Sequence, residues 1–261
     1  MELLTSRKNT RIIELESLLT RKKGRDRELF ACEGARLCED AVRAGIIAEA
    51  VYITEKAQAR YPDTAAQLIG VARAAYMIDE SLAVRISDTE SPQGIFAVFK
   101  RLDNTAQVVT IVRDGKYLIL AGLQNPGNLG TILRAAEAFG LDGVFLDKDC
   151  PDIYAPKVLR ASMGGVFRIK HERAADIRVK IKALRESGVD VYAAALTEHA
   201  IPLRPGLLAG GAAVLIGNEG AGLSDELIEY CKGACVIPMK GAAESLNAAA
   251  AAVVFMWEMA K

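Results

Sequence analysis

The stretch Tyr117-Leu-Ile-Leu-Ala-Gly-Leu-Gln-Asn-Pro-Gly-Asn-Leu-Gly-Thr-Ile-Leu-Arg134 decides the fold class. Its first five residues form an unbroken apolar run, which fits a strand buried on both faces and hence a parallel sheet. A loop of Gly, Asn and Pro follows. From Gly130 the apolar residues recur at helical spacing as far as Phe139, and Gly140 is the stop. Strand, glycine loop and helix in that order form the repeating unit of an α/β fold. Asn128 falls near the helix start, where a short amide side chain can cap it, and Arg134 lies deeper in the helix. The plain reading leaves Arg134 in solvent. Its neighbours Ile132, Leu133, Ala135 and Ala136 are apolar, so this face is expected to be partly enclosed, and an enclosed guanidinium needs a carboxylate or phosphate.

The alternation continues on both sides. Downstream, strands are predicted over residues 143–146, 166–169, 189–194, 213–216 and 234–237. Helices are predicted over 156–163, 174–186 and 224–231, and a long one from Glu244 to the C-terminus. Such a chain folds as a mostly parallel sheet covered on both faces. Upstream, Ile12, Leu15, Leu18 and Leu19 mark a helix. Residues 29–33, 50–54, 75–78 and 95–99 read as strands, and 35–44, 65–69 and 81–86 as helices. This smaller α/β unit ends in the polar stretch Arg101-Leu-Asp-Asn-Thr-Ala-Gln107, which reads as a linker. The expected organisation is a first domain over 1–100 and a second over 107–261.

Composition narrows the function classes. The 261 residues carry 33 Lys+Arg against 33 Asp+Glu and are 51% apolar, which excludes wholesale disorder and a generally polybasic protein. A local basic patch remains open. Arg21-Lys-Lys-Gly-Arg-Asp-Arg27 is the densest one, with Arg21, Lys22, Lys23, Arg25 and Arg27 around one glycine, and it reads either as a solvated loop or as a set of phosphate contacts. The N-terminus lacks a signal-peptide core, and the longest apolar run, 248–257, falls short of the roughly 18–20 residues that cross a bilayer. A soluble cytoplasmic protein without a membrane segment is expected. Five cysteines without a CxxC pair predict free thiols. Cys231 and Cys235 have half-site spacing, but neither His171 nor His199 supplies the other half, so no metal is expected.

Two further strand-to-helix junctions carry polar residues. In Val214-Leu-Ile-Gly-Asn-Glu-Gly-Ala-Gly-Leu-Ser224 three glycines lie between a strand and a helix that Ser224 can cap. The order of a dinucleotide loop is missing, and Glu219 would stand where a pyrophosphate docks, so a nicotinamide-dependent enzyme is disfavoured. In Val236-Ile-Pro-Met-Lys-Gly-Ala-Ala-Glu-Ser-Leu-Asn-Ala-Ala-Ala250 a strand ends at Pro238, and 244–247 open an alanine-rich helix, with Ser245 available as a cap. The three loops together offer Asn128, Arg134, Glu219, Ser245 and Asn247 near the carboxyl ends of strands, where open α/β sheets bind ligands.

In this order the three segments resemble the signature motifs of the SpoU family, the RNA 2'-O-ribose methyltransferases of the SPOUT superfamily. The residues are Asn125-Pro-Gly-Asn-Leu-Gly130 with Arg134, Gly217-Asn-Glu-Gly-Ala-Gly-Leu223, and Ile237-Pro-Met-Lys-Gly241 with Ser245-Leu-Asn247. Arg160-Ala-Ser-Met-Gly-Gly-Val-Phe167 is also similar to the family, and Glu33-Gly-Ala-Arg-Leu37 and Ser91-Pro-Gln-Gly-Ile95 resemble its N-terminal domain. Where the family has Val-Ser after Ser-Leu-Asn, this chain has Ala248-Ala249, a difference in helix packing rather than chemistry.

The resemblance implies a small ribosomal-protein-like α/β RNA-binding domain followed by a trefoil-knotted methyltransferase domain. It also implies S-adenosylmethionine as methyl donor and a homodimer with the site at the interface. The separate first domain favours ribosomal RNA over transfer RNA, with a non-catalytic RNA-binding protein as the alternative outside enzymes. By motif match, backbone groups of Gly217, Ile237 and Leu246 hold the adenosyl group, with Leu196 and Thr197 adding contacts. Arg134 matches the family's proposed base. Since an arginine holds its proton firmly, it is equally suited to gripping the adjacent phosphate. Asn128 would position ribose or phosphate, Glu219 would fix the geometry of an Asn or Arg, and Ser245 and Asn247 would complete the site by hydrogen bonds.

Overall fold

Apolar runs and glycine stops translate into twelve strands and ten α-helices among the described residues of a computed structural model, which are 1–20, 28–101, 108–242 and 245–261. In chain order the first half contains β1 (Glu2–Leu4), α1 (Thr10–Thr20), β2 (Leu29–Glu33), α2 (Ala35–Arg43), β3 (Ala48–Ile53), α3 (Glu55–Arg60), α4 (Pro62–Val71), β4 (Ala75–Ile78), α5 (Glu80–Ile86) and β5 (Ile95–Lys100). The second half contains β6 (Lys116–Leu120), α6 (Pro126–Ala138), β7 (Gly143–Leu146), α7 (Pro156–Ser162), β8 (His171–Arg173), α8 (Ile177–Glu186), β9 (Asp190–Ala194), β10 (Ile201–Pro202), β11 (Ala212–Ile216), α9 (Asp225–Glu229), β12 (Gly233–Val236) and α10 (Ala248–Ala260). None of the described helices is long and apolar enough to cross a membrane.

Two compact units divide the chain. One comprises residues 1–102 and 152–167, the other 103–151 and 168–261. In the first, a five-stranded sheet has the order β1-β4-β3-β5-β2, with β1, β4 and β3 parallel and β5 antiparallel to both its neighbours. The predicted stripe Ile12, Leu15, Leu18 and Leu19 of α1 is buried against Phe96, Val98 and the α5 residues Leu82 and Ile86. The 152–167 segment joins this unit through aromatic and ionic contacts. Tyr154 stacks on Phe30 of β2 with centroids 4.5 Å apart, and Arg101 pairs with Asp152. Arg101, the first residue of the stretch read as a linker, thus holds a largely buried ion pair, and residues 102–107 lie outside the described residues.

The second unit holds a seven-stranded sheet in the order β10-β12-β9-β11-β6-β7-β8, in which every pairing is parallel. "Mostly parallel" thus becomes wholly parallel among the described strands. Side chains alternate across it. Tyr117, Ile119, Leu215 and Val191 pack with Ile181 and Leu184 of α8, while Leu118, Leu120 and Val214 are buried on the opposite face, where α10 meets β11 and α6. Burial on both faces is why these strands read as continuous apolar runs. A parallel sheet also gathers the carboxyl ends of β12, β9, β11 and β6 along one edge, so the loops leaving these neighbouring strands converge.

Two expectations need correction. Residues 166–169 are not a strand, because Gly165–Phe167 forms a 3-10 turn after Gly164 at φ 77° and buries Val166 and Phe167. The strand is β8, three polar residues at the sheet edge. Its Arg173 donates to the carbonyls of Asp147, Cys150 and Pro151. The last helix starts at Ala248 rather than Glu244, since Asn247 caps it by accepting from the amides of Ala249 (2.9 Å) and Ala250 (3.4 Å). Glu244 itself lies outside the described residues.

Candidate active site

At the carboxyl end of β6 the chain turns into α6 with Asn125 as cap and Pro126 in the first turn. The Asn125 side chain accepts from the Gly127 amide at 2.8 Å. Asn128 is therefore not the cap. It sits inside the first turn, buried, with its side chain free for longer-range bonds.

Those bonds tie the three loops together. Asn128 Nδ2 donates to Glu219 Oε1 at 2.9 Å, and Asn247 Nδ2 donates to Asn128 Oδ1 at 3.2 Å. Glu219 also accepts from the amides of Gln124 (2.8 Å, Oε2) and Asn125 (3.1 Å, Oε1). Elementary chemistry fixes the polarity of this chain. A carboxylate only accepts, so Asn128 must present its amino group to Glu219 and its carbonyl to Asn247. The Asn247 carbonyl then faces a helix N-terminus that has only N–H groups to offer. Each amide is satisfied on both sides. Burial alone would raise the Glu219 carboxyl, but the bonds from Gln124, Asn128 and Asn125 outweigh it and hold the group below the usual carboxylate range.

The loop carrying Glu219 is closed by Asn218, which the sequence reading passed over. Its amide and carbonyl bond to those of Gly222 at 3.0 Å, its Oδ1 accepts from Gly220 and Ala221, and its Nδ2 donates to the Gly122 carbonyl at 2.7 Å. A Cβ at Gly217 would stand 2.5 Å from the Gly222 carbonyl oxygen, so the turn requires glycine there. The available signal was an asparagine followed by glycines two and four residues on, a loop that folds back on its own amides.

Beside these loops, past the ends of β9 and β12, lies a cavity of about 160 Å³ lined by Leu196, Ile237, Met239, Ser245, Leu246 and Phe255 among others. Four residues singled out from the sequence line it, namely Leu196, Ile237, Leu246 and Ser245. Met239 and Phe255 were missed, and Gly217 and Thr197 do not line it. Ser245 caps no helix. Arg134 is exposed rather than partly enclosed, since the apolar residues beside it turn inward while its own position on α6 faces out. It has no ion-pair partner among the described residues. Glu219 accordingly fixes an asparagine and not the arginine. The cluster Arg21, Lys22, Lys23, Arg25 and Arg27 lies outside the described residues.

No group of three His, Cys, Asp or Glu suited to a metal occurs among the described residues. All five cysteines are free and buried, and burial pushes the Cys231 and Cys235 thiols up to about 11.

Residues 115–257 match the SpoU rRNA Methylase family. The chain belongs to that family. Residues 9–97 match the MRM3-like substrate binding domain. A 23S rRNA (guanosine(2553)-2'-O)-methyltransferase of Bacillus subtilis is 32% identical over 260 residues, covering 99% of each chain. Among solved structures, an RNA 2'-O ribose methyltransferase superposes with a TM-score of 0.81 at 30% identity, covering 98% of this chain and 97% of the other. An AdoMet-bound rRNA methyltransferase from Sinorhizobium meliloti gives 0.83 at 27% identity, covering 99% and 97%. Within this SpoU chain the three family motifs are the three loops that Glu219, Asn128 and Asn247 join.

Proposed function

We propose that this SpoU protein transfers a methyl group from S-adenosylmethionine to a ribose 2'-hydroxyl of ribosomal RNA. The observation that carries the reading is the bonded chain Glu219–Asn128–Asn247, which holds three loops beside an apolar cavity at the carboxyl edge of a parallel sheet. The donor fits that cavity. An adenosyl group has flat apolar faces and a hydrogen-bonding rim. The cavity offers Leu196, Ile237, Leu246 and Phe255 as walls, next to main chain that has left the sheet. Thr197 follows Leu196 in a loop that lines it, and Gly217 opens the loop after β11, the strand next to β9. The bound donor supplies a methyl group on a sulfonium, a good leaving group.

What remains for the protein is alignment and removal of the hydroxyl proton. Asn128 and Asn247 are held by their mutual bond and present a fixed polar rim to the ribose. Glu219 keeps that rim in place as a carboxylate. Ser245, exposed at the cavity mouth, offers a hydroxyl to substrate or donor. Arg134, exposed and without a protein carboxylate among the described residues, is a free cation for the phosphate next to the reacting ribose or for the developing alkoxide.

The reading extends to a trefoil knot in the second domain (107–261), an RNA-binding first domain (1–100) helped by the basic loop, a homodimer and a cytoplasmic location. The test is tritium transfer from methyl-labelled S-adenosylmethionine to deproteinised large-subunit ribosomal RNA, with transfer RNA in parallel. Label in ribosomal RNA, recovered as 2'-O-methylnucleoside, is expected. Label in transfer RNA alone would reassign the substrate, and label in neither would leave a non-catalytic RNA-binding protein.

A further inference from the structure

The first unit contains a cavity of about 360 Å³ whose lining includes Glu33, Arg36, Leu37, Asp40, Gln93 and Met163. These residues come from the β2–α2 junction, the turn before β5 and the end of α7, all within that unit. Some of its polar groups keep bonding capacity that the fold does not use. Gln93 Oε1 accepts from the Ala35 amide at the start of α2 (2.9 Å), which leaves both Nε2 donors without a partner among the described residues. Glu33 Oε1 accepts from the hydroxyls of Ser87 (2.5 Å) and Thr89 (2.7 Å), while its Oε2 is buried with no hydrogen-bond partner among the described residues. Arg36 is exposed, and no ion pair engages it among those residues.

Met163 adds an apolar wall. It is the one non-glycine residue with positive φ among the described residues (φ 48°, ψ 45°). A side chain in that region is strained by about 1 kcal/mol relative to glycine, and the chain places glycines at the next two positions. The strained residue carries a long apolar side chain, 40% exposed, that walls the cavity. The left-handed turn closes α7, its amide bonded to the Arg160 carbonyl, and it sets the methionine side chain against the cavity.

Chemistry narrows the ligand. Leu37 and Met163 suit a flat apolar face. Gln93, with both Nε2 donors available, suits an edge bearing carbonyls or ring nitrogens. Glu33 and Asp40 disfavour a phosphate inside, and the other lining cation, Arg160, is already paired with Asp88, whereas Arg36 at the rim attracts one. We propose that this cavity receives a single nucleobase turned out of the substrate RNA, with Arg36 on the phosphate that flanks it. Unpaired bases are the part of RNA that proteins read in this way. The inference rests on the methyltransferase reading above, and it assigns a recognition site apart from the three loops.

Two variants test it, Met163→Gly and Gln93→Glu. The first relieves the backbone strain. The second keeps an acceptor for the Ala35 amide and removes the two donors. Both full-length proteins are compared with wild type by filter binding of in vitro transcribed large-subunit ribosomal RNA across a salt series, by melting, and by tritium transfer. The expected result is roughly tenfold weaker RNA binding for each. The melting temperature should be unchanged for Gln93→Glu and unchanged or higher for Met163→Gly, and the log–log salt slope of Met163→Gly should stay as in wild type. RNA affinity equal to wild type in both variants would overturn the proposal. So would a salt slope for Met163→Gly lower by roughly 0.7–0.9, the mark of a lost phosphate contact. An inactive wild type would instead overturn the methyltransferase reading itself, so the two failures are distinguishable.

Discussion

The three-loop site and the cavity of the first unit use similar polar side chains in opposite ways. At the three-loop site the polar groups satisfy one another. Glu219 has three donors, Asn128 bonds on both sides, and Asn247 caps a helix. In the first unit Gln93 spends its acceptor on the fold and keeps its donors free, and Met163 is held under strain. The first arrangement is preorganised and gains little from a ligand's hydrogen bonds, so it suits chemistry that needs fixed geometry. The second has bonding capacity left over, which suits recognition.

The sharpest way to break this contrast is to remove the one free cation on α6. Arg134→Ala is expected to lower methyl transfer by at least about 100-fold, the scale of a lost proton-handling or charge-stabilising group. Donor binding by calorimetry should stay at the wild-type level, because Arg134 does not line the donor cavity. Turnover close to wild type would remove Arg134 from the site.

The preorganised chain should be brittle. Asn128→Asp sets one carboxylate against another at a buried position: Glu219 loses the donor it bonds, while Asn247 can still donate to the new side chain. A loss of about 1–3 kcal/mol in denaturant unfolding is expected near neutral pH. The deficit should narrow as the pH falls toward about 5, because a protonated new carboxyl again donates to Glu219. A deficit independent of pH would mean that packing, not the hydrogen-bond polarity, sets the cost.

Much of this was legible in the sequence, and the misses share a physical cause. Strands β2, β4 and β7 span the residues predicted for them, because each is a short, mostly apolar run bounded by polar or turn residues. The stretch 166–169 has strand composition, yet a strand needs a neighbour, and the edge position went to the polar residues of β8, which periodicity does not reveal. The short edge strands β1 and β10 were invisible for the same reason. At the site, residue types and order identified Asn128, Glu219 and Asn247, but not which asparagine caps α6. Asn125 and Asn128 are both plausible caps, and only Pro126 in the first helical turn selects the earlier one. The membership of 152–167 in the first unit depends on tertiary contacts such as Phe30 with Tyr154, which no local pattern encodes.

Smaller effects sharpen the recognition side. Replacing Arg21, Lys22 and Lys23 together by Ala should weaken RNA binding several-fold and flatten its salt dependence by roughly 0.7 per lost phosphate contact. The methylated nucleotide should not move. A filter-binding salt titration with site mapping checks both, and a shifted site would make the loop a reader of RNA shape.

The smallest expected effect is a titration. Glu219 is held below the ordinary carboxylate range in the folded protein. Its contribution is therefore complete above that range and disappears as the pH falls through the lower, folded-state value. Wild type should exceed Glu219→Gln in stability at neutral pH, and the difference should shrink in acid. Parallel stability curves would show that the carboxylate's three bonds add nothing an amide cannot.

The central claim is that the three joined loops methylate a ribose of ribosomal RNA. The direct measurement is a map of 2'-O-methyl positions in ribosomal RNA from cells lacking this gene, and from the same cells carrying wild type or Arg134→Ala. The account predicts one position that is lost in the deletion, restored by wild type and left unmethylated with Arg134→Ala. No lost position, or one restored equally by both proteins, would contradict it.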